Sequence, residues 1–234
     1  MGIMNVGDNG YVCEFEEKPK HPKSDLASMG IYIFNWQKLR KYLIQDEANE
    51  NSRHDFGHNI IPAMIADGEK LWPYRFKGYW RDVGTITSLW DANMDMLSPD
   101  LINLYDPNWP ISARSPICPP HQTGPHAEIS HSIVTEGCEI DGIVDNSVLS
   151  PSVHIGVGAN IKYSVLMPGV VVEAGATVEY AIIGENTVIH AGAKVGSSPA
   201  PGEQKSITTI GPDLEIPAGS TVKVGAMISS VEEV

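Results

Sequence analysis

The chain has 234 residues, 42% of them hydrophobic, and a formal net charge of −13. That length allows one large domain or two modest ones, and that apolar share argues against disorder. The acidic balance, with only five Lys or Arg after Arg81, argues against a nucleic-acid-binding surface.

Residues 1–6 read as the end of a strand already under way, so the sequence is expected to begin inside a domain. Residues 10–16 alternate like a strand. The continuous apolar run at 28–34 has the length of a strand buried in a mixed sheet. Residues 36–44 carry Trp36, Leu39 and Leu43 at helical spacing. Residues 54–66 predict a second helix, with Ile60, Ile61, Met64 and Ile65 on one stripe. A strand is expected at 71–76 and a third helix at 85–97, with Thr85 as its N-cap after Gly84. The texture of residues 1–105 is therefore α/β. Residues 106–125 hold Pro107, Pro110, Pro116, Pro119 and Pro120 with little periodicity, and read as an extended connector.

Residues 147–197 then repeat three times with a period of 17: SVLSPSVHIGVGANIKY, SVLMPGVVVEAGATVEY, AIIGENTVIHAGAKVGS. Val148, Val165 and Ile182 align, as do Leu149, Leu166 and Ile183. Gly158, Gly175 and Gly192 align too, each followed by alanine. Such a period predicts stacked coils. Aliphatics also recur about every six residues inside a unit, which suits a triangular parallel β-helix with one short strand per side. The pattern continues weakly at 132–144 and 216–222. Residues 197–209 break it and are expected to leave the stack as a loop.

Three cysteines lie far apart with no CxxC spacing, which fits a reducing compartment. No apolar run approaches the ~20 residues that span a bilayer, and the first residues do not read as a signal peptide. A soluble cytoplasmic protein without membrane contact is expected.

Four groups of residues invite a chemical reading. Glu17-Lys18-Pro19 follows a strand: the lysine offers a compact charge for a phosphate and the glutamate offers acceptors for sugar hydroxyls. The same triplet also fits a solvated charged turn. In Trp80-Arg81-Asp82-Val83-Gly84-Thr85, an acidic residue before a helix start could hold Mg²⁺ through oxygen. It could equally cap the helix or pair with a base. In the segment 53–57, Asp55 suits the helix N-terminus better than a His54–Asp55 catalytic pair. His154 and His190 read as corner or surface residues of the coils. A Gly-rich phosphate loop of the Walker or Rossmann type is missing.

Taken in order, FEEKPKHPKSDLASMGIYIFN, HDFGHNIIP, YWRDVGTITSLWDANMDML and LYDPNWPI, followed by the coils, resemble bacterial ADP-glucose pyrophosphorylase, that is, glucose-1-phosphate adenylyltransferase. The resemblance implies the back of an α/β, Rossmann-like nucleotidyltransferase domain (1–105), a Pro-rich connector (106–125) and a left-handed parallel β-helix (126–234). It implies an enzyme of glycogen biosynthesis that makes ADP-glucose and pyrophosphate from ATP and glucose 1-phosphate with Mg²⁺. Glu17 and Lys18 would bind glucose 1-phosphate, Ser28 would hydrogen-bond the sugar, and Gly2 would let the sugar approach the backbone. Asp82 would be the catalytic metal carboxylate, and Trp80 and Arg81 would shape the site. The family's Gly-rich nucleotide loop lies in the front of that domain, so these 234 residues alone are expected to be inactive. A homo-oligomer is expected, with the missing N-terminal half supplied in trans as one arrangement. Two other readings stand beside this one: a non-catalytic regulatory or assembly subunit, and a β-helix acyltransferase with a histidine base. The arginine cluster that some members carry in the coils has no counterpart in AGATVEYAIIGENTVIHAG.

Overall fold

The computed structural model describes residues 1–112 and 116–233. It divides into two compact units, Met1–Trp80 and Arg81–Val234.

In the first unit, β1 (Gly2–Val6) pairs antiparallel with β2 (Val12–Glu17). The turn between them uses Gly10 at φ 81°, a left-handed conformation that costs glycine little. The other edge of β1 is held by residues 26–28: Met4 N–H donates to Leu26 O, Ser28 N–H donates to Gly2 O, and Ile3 bridges Ala27. Helix α1 (Trp36–Glu47) starts at Asn35, whose side chain accepts from Lys38 N–H. Tyr42 of α1 packs with Ile60 and Met64 into a small core.

Two expected strands and one expected helix turn out differently. Residues 28–34 form no strand: the pairing with β1 stops at Ala27, Gly30 sits at φ 73°, and Ile33 is fully exposed. An apolar run becomes a strand only where a neighbour takes its backbone groups, and contact with β1 ends at Ser28, whose N–H donates to Gly2 O. Residues 71–76 are likewise irregular, apart from Leu71 O, which accepts from Val12 N–H. The segment 54–66 is helical, but it opens as a π-helical turn (Phe56–Ile60) before α2 (Ile61–Ala66). Ile60 N–H reaches back to Asp55 O, and Ile61 N–H to Phe56 O. Pro62 follows at once and has no N–H to donate.

In the second unit, α3 (Ile86–Asp95) begins at Thr85, the expected N-cap, in a capping box completed by Ser88. From Gln122 onward the chain winds into a parallel β-helix built of three six-stranded sheets. Ala113, Arg114 and Ser115, within the expected connector, lie outside the described residues. The repeats stack as aligned: Val148, Val165 and Ile182 are neighbours on one ladder, and Ile161, Val178 and Val195 on another.

Three inward columns fill the triangle: Ile140, Ile155, Val172, Ile189 and Ile216; Val144, Ile161, Val178 and Val195; Leu149, Leu166, Ile183 and Ile210. All are at most 2% exposed. Each such side chain contributes about 1.5–3 kcal/mol on burial, and each except Ile216, on the end strand of its sheet, has a coil above and below it. One corner adds a ladder of buried hydroxyls. Ser147 Oγ accepts from Ser164 N–H, and Ser164 Oγ accepts from Ala181 N–H, each pair 17 residues apart. After Val195 the spacing between stacked neighbours widens to 27 residues, as in Leu214 N–H to Thr187 Oγ1. The extra residues are the expected excursion, but it ends earlier than expected: Thr208 and Thr209 already belong to a strand that pairs with Ala181–Ile183, so the ladder resumes there.

Candidate functional site

The first unit gathers Gly2, Glu17, Lys18 and Ser28 around the first residue of β1. Gly2 pairs with Glu17 across the ladder. Lys18 N–H donates to Met1 O at 3.2 Å, and Ser28 N–H to Gly2 O at 2.8 Å. Glycine is required at position 2, because a Cβ there would stand 2.3 Å from Phe15 Cζ and 2.9 Å from Glu17 Oε2.

Lys18 turns the chain out of β2 at φ 50°, a region that a residue with a Cβ rarely occupies. The turn leaves the ammonium group on an exposed residue while Glu17 stays half-buried. Ser28 is buried, and its hydroxyl accepts from Gly30 N–H at 3.1 Å and lies 2.8 Å from Tyr32 Oη. A hydroxyl accepts twice and donates once. With Tyr32 donating to it, the Ser28 proton remains for a ligand oxygen.

Two neighbours escape the motif reading. Gly57 lies against Glu17: a Cβ there would be 2.6 Å from Glu17 Oε2. Tyr32 joins Ser28 and stacks on Phe56 at 6.1 Å. Their only sequence signal is indirect. Gly57 is a glycine inside a helical segment, where alanine would be favoured by about 1 kcal/mol, and it falls in the π-helical turn, a distortion often found at functional sites. The acidic residue before it acts as expected. Asp55 accepts from His58 N–H at 2.7 Å, and this bond, helped by the His58 ring, holds its carboxyl below the usual range. His54 pairs instead with Asp46, at 2.9 Å.

Trp80 is the last residue of the first unit and is half-buried. Arg81 and Asp82 open the second unit. Arg81 is clamped to α3, with Nη2 2.6 Å from Asp95 Oδ2 and Nη1 3.5 Å from Asp91 Oδ2. Asp82 is exposed, and its Oδ1 accepts from Gly84 N–H at 3.1 Å. Among the described residues no group of three His, Cys, Asp or Glu could hold a metal by itself. A lone exposed carboxylate nevertheless fits Mg²⁺, which commonly binds through one or two carboxylates together with substrate phosphates and water.

The coil histidines carry carboxylate partners. His154 Nδ1 lies 3.4 Å from Glu139, and His190 lies between Glu173 at 3.2 Å and Glu215 at 3.3 Å. The hydrogen bond to Glu215 raises the His190 pKa; burial opposes it, and the hydrogen bond to Glu173 and the charges of both glutamates add to the rise.

Residues 1–99 match the nucleotidyl transferase family and residues 119–211 the GlmU-like C-terminal hexapeptide family. A glucose-1-phosphate adenylyltransferase of Acetivibrio thermocellus is 56% identical over 162 residues, covering 68% of this chain and 38% of that one. The chain belongs to the glucose-1-phosphate adenylyltransferase family. Further enzymes of that name, from Clostridium botulinum strain Alaska E43 and Clostridium perfringens strain 13, are 54% and 53% identical over 69% of this chain and 42% and 41% of their own. The chain thus spans about two fifths of the length of the adenylyltransferases it matches. The fold agrees with the pair of families: nucleotidyltransferase residues first, then a parallel β-helix. No helix among the described residues is long and apolar enough to cross a membrane.

Proposed function

We propose that this chain carries the sugar-phosphate side of a cytoplasmic glucose-1-phosphate adenylyltransferase, which makes ADP-glucose and pyrophosphate from ATP and glucose 1-phosphate for glycogen synthesis. The observation that carries the reading is the cluster of Gly2, Glu17, Lys18 and Ser28. It supplies one cation, one carboxylate and one hydroxyl donor around a single strand end. Those are the groups a phosphorylated sugar needs.

Lys18 attracts the phosphate, Glu17 accepts hydrogen bonds from sugar hydroxyls, and Ser28 donates to a sugar oxygen. Held this way, an oxygen of the sugar phosphate attacks the α-phosphorus of ATP. That P–O bond forms as the bond to the bridging β-phosphate oxygen breaks, and pyrophosphate leaves with the electron pair. The protein's contribution is positioning and charge. Mg²⁺, when bound, offsets the charge that develops on the phosphates, and Asp82 is the residue that would hold it. The coils that begin at Gln122 form the left-handed β-helix of the family, and the chain self-associates through it, since open coil ends need caps or partners.

Product analysis tests the reading. The active enzyme that contains these residues is expected to convert ATP and glucose 1-phosphate to ADP-glucose, with pyrophosphate in equal amount. The 234 residues alone are expected to give none at a useful rate. An active enzyme that forms no nucleotide sugar would overturn the proposal, and robust turnover by the isolated 234 residues would overturn its second half.

A further inference from the structure

The excursion that interrupts the coils returns to α3. Lys205, at its far end, lies 3.1 Å from Asp91 Oδ1, with its ammonium 4.6 Å from the centre of the Trp90 ring. Trp90 is buried, donates from Nε1 to Tyr163 O at 2.7 Å across 73 residues, and stacks on Tyr180, which stacks on Tyr163. Tyr163 and Tyr180 occupy successive corners of the coils at φ 47° and 48°. Val165, Ile182 and Ile207 complete the apolar seat of the helix. Asp91, gripped on one oxygen by Lys205, meets Arg81 with the other, and Asp95 holds Arg81 as well. The next residue is Asp82.

The geometry points to Trp90 and Lys205 as positioning residues for Asp82, through which the coils set the placement of the metal carboxylate. The inference rests on the proposed role of Asp82. A helix fixed at its middle by an indole hydrogen bond and a cation–π contact presents Asp91 and Asp95 at a constant height, and Arg81 follows. Residues behind a metal ligand commonly tune its affinity by ~10–100-fold. The excursion is therefore a strap over α3.

Two variants test this. Lys205→Met keeps the stem over Trp90 and removes the charge. Trp90→Phe keeps a ring and removes the N–H. In the 234-residue chain, an arginine-specific protease should cut the Arg81–Asp82 bond about 10-fold faster in either variant: Lys205→Met loses one exposed ion pair and one cation–π contact, and Trp90→Phe loses the hydrogen bond to Tyr163 O. Cleavage at Arg40 should be unchanged. In the active enzyme containing this chain, half-saturation by Mg²⁺ should rise ~10-fold, with the KM for glucose 1-phosphate unchanged. Unaltered cleavage at Arg81 would overturn the inference. Faster cleavage with unaltered Mg²⁺ dependence would reduce the strap to a structural clamp and overturn it too. If Asp82→Asn itself left the Mg²⁺ dependence intact, the metal assignment would fall, and this inference with it. That result is distinct from a failure of the strap alone.

Discussion

Gly57 and Glu17 meet so closely that one added methyl group at Gly57 would stand 2.6 Å from the glutamate's Oε2. The nearest atom is the far end of a flexible side chain, which can turn away, and the Phe15 ring at 3.1 Å need give only a few tenths of an ångström, so the backbone need not move. Gly57→Ala is expected to displace the Glu17 carboxylate while leaving stability within about 1 kcal/mol, since alanine's helical preference offsets the contact. The KM for glucose 1-phosphate should rise and the KM for ATP should not. Denaturant unfolding beside steady-state kinetics reads both. A variant with unchanged sugar KM would remove Glu17 from the site.

Gly2 should behave differently. The methyl group would meet the ring of Phe15, a buried residue, at 2.3 Å. A packed ring cannot swing aside, so Gly2→Ala should cost stability as well as sugar affinity, about 1–3 kcal/mol. A Gly2→Ala protein that unfolds at the parent's denaturant concentration would contradict the packing described at β1.

Much of this was legible in the sequence, unevenly. The 17-residue repeat could be read because Leu149, Leu166 and Ile183 must all face one axis, so the same side-chain type recurs at the same place. The first coils were read only weakly. They step by 15 residues, as in Ser130 Oγ to Asp145, and fill inward places with Cys138 as well as aliphatics. Residues 28–34 misled because strand character depends on a neighbour that local pattern does not encode. The site divides in the same way. Glu17 and Lys18 stand together after a strand and could be picked out, whereas Gly57 and Tyr32 reach the site through tertiary contacts. Trp90 left one trace. Val165 beside Leu166, and Ile182 beside Ile183, make that strand apolar on both faces, and its outer face is where α3 packs.

The coil stack gives a direct stability prediction. Leu166 is fully buried in its column, while Val157 is half-exposed at a corner. Leu166→Ala should cost about 2–5 kcal/mol and Val157→Ala within about 0.5 kcal/mol, both by denaturant unfolding. Equal effects would mean that the column does not carry the stack.

His190 makes part of that stability depend on pH. Glu215 and Glu173 favour its charged form, so its pKa in the folded chain lies above the ordinary 6.5. The folded state therefore binds the proton more tightly than the unfolded state does. The contribution is fully present below pH 6.5 and is lost as pH rises through the folded value. The margin in melting temperature of the parent over His190→Gln should be largest near pH 6 and shrink towards pH 8. A margin that grew with pH would reverse the assignment.

The sugar-phosphate role of Lys18 is tested most directly by Lys18→Ala in the active enzyme containing this chain. A charged hydrogen bond to phosphate contributes ~1.5–3 kcal/mol, so the KM for glucose 1-phosphate should rise roughly 10- to 150-fold at ~1.4 kcal/mol per decade. The KM for ATP should stay within about twofold, since uniform loss of sugar-phosphate binding leaves the other substrate's site intact. An unchanged KM for glucose 1-phosphate, or an equal rise in both, would contradict the placement of the sugar phosphate at the end of β2.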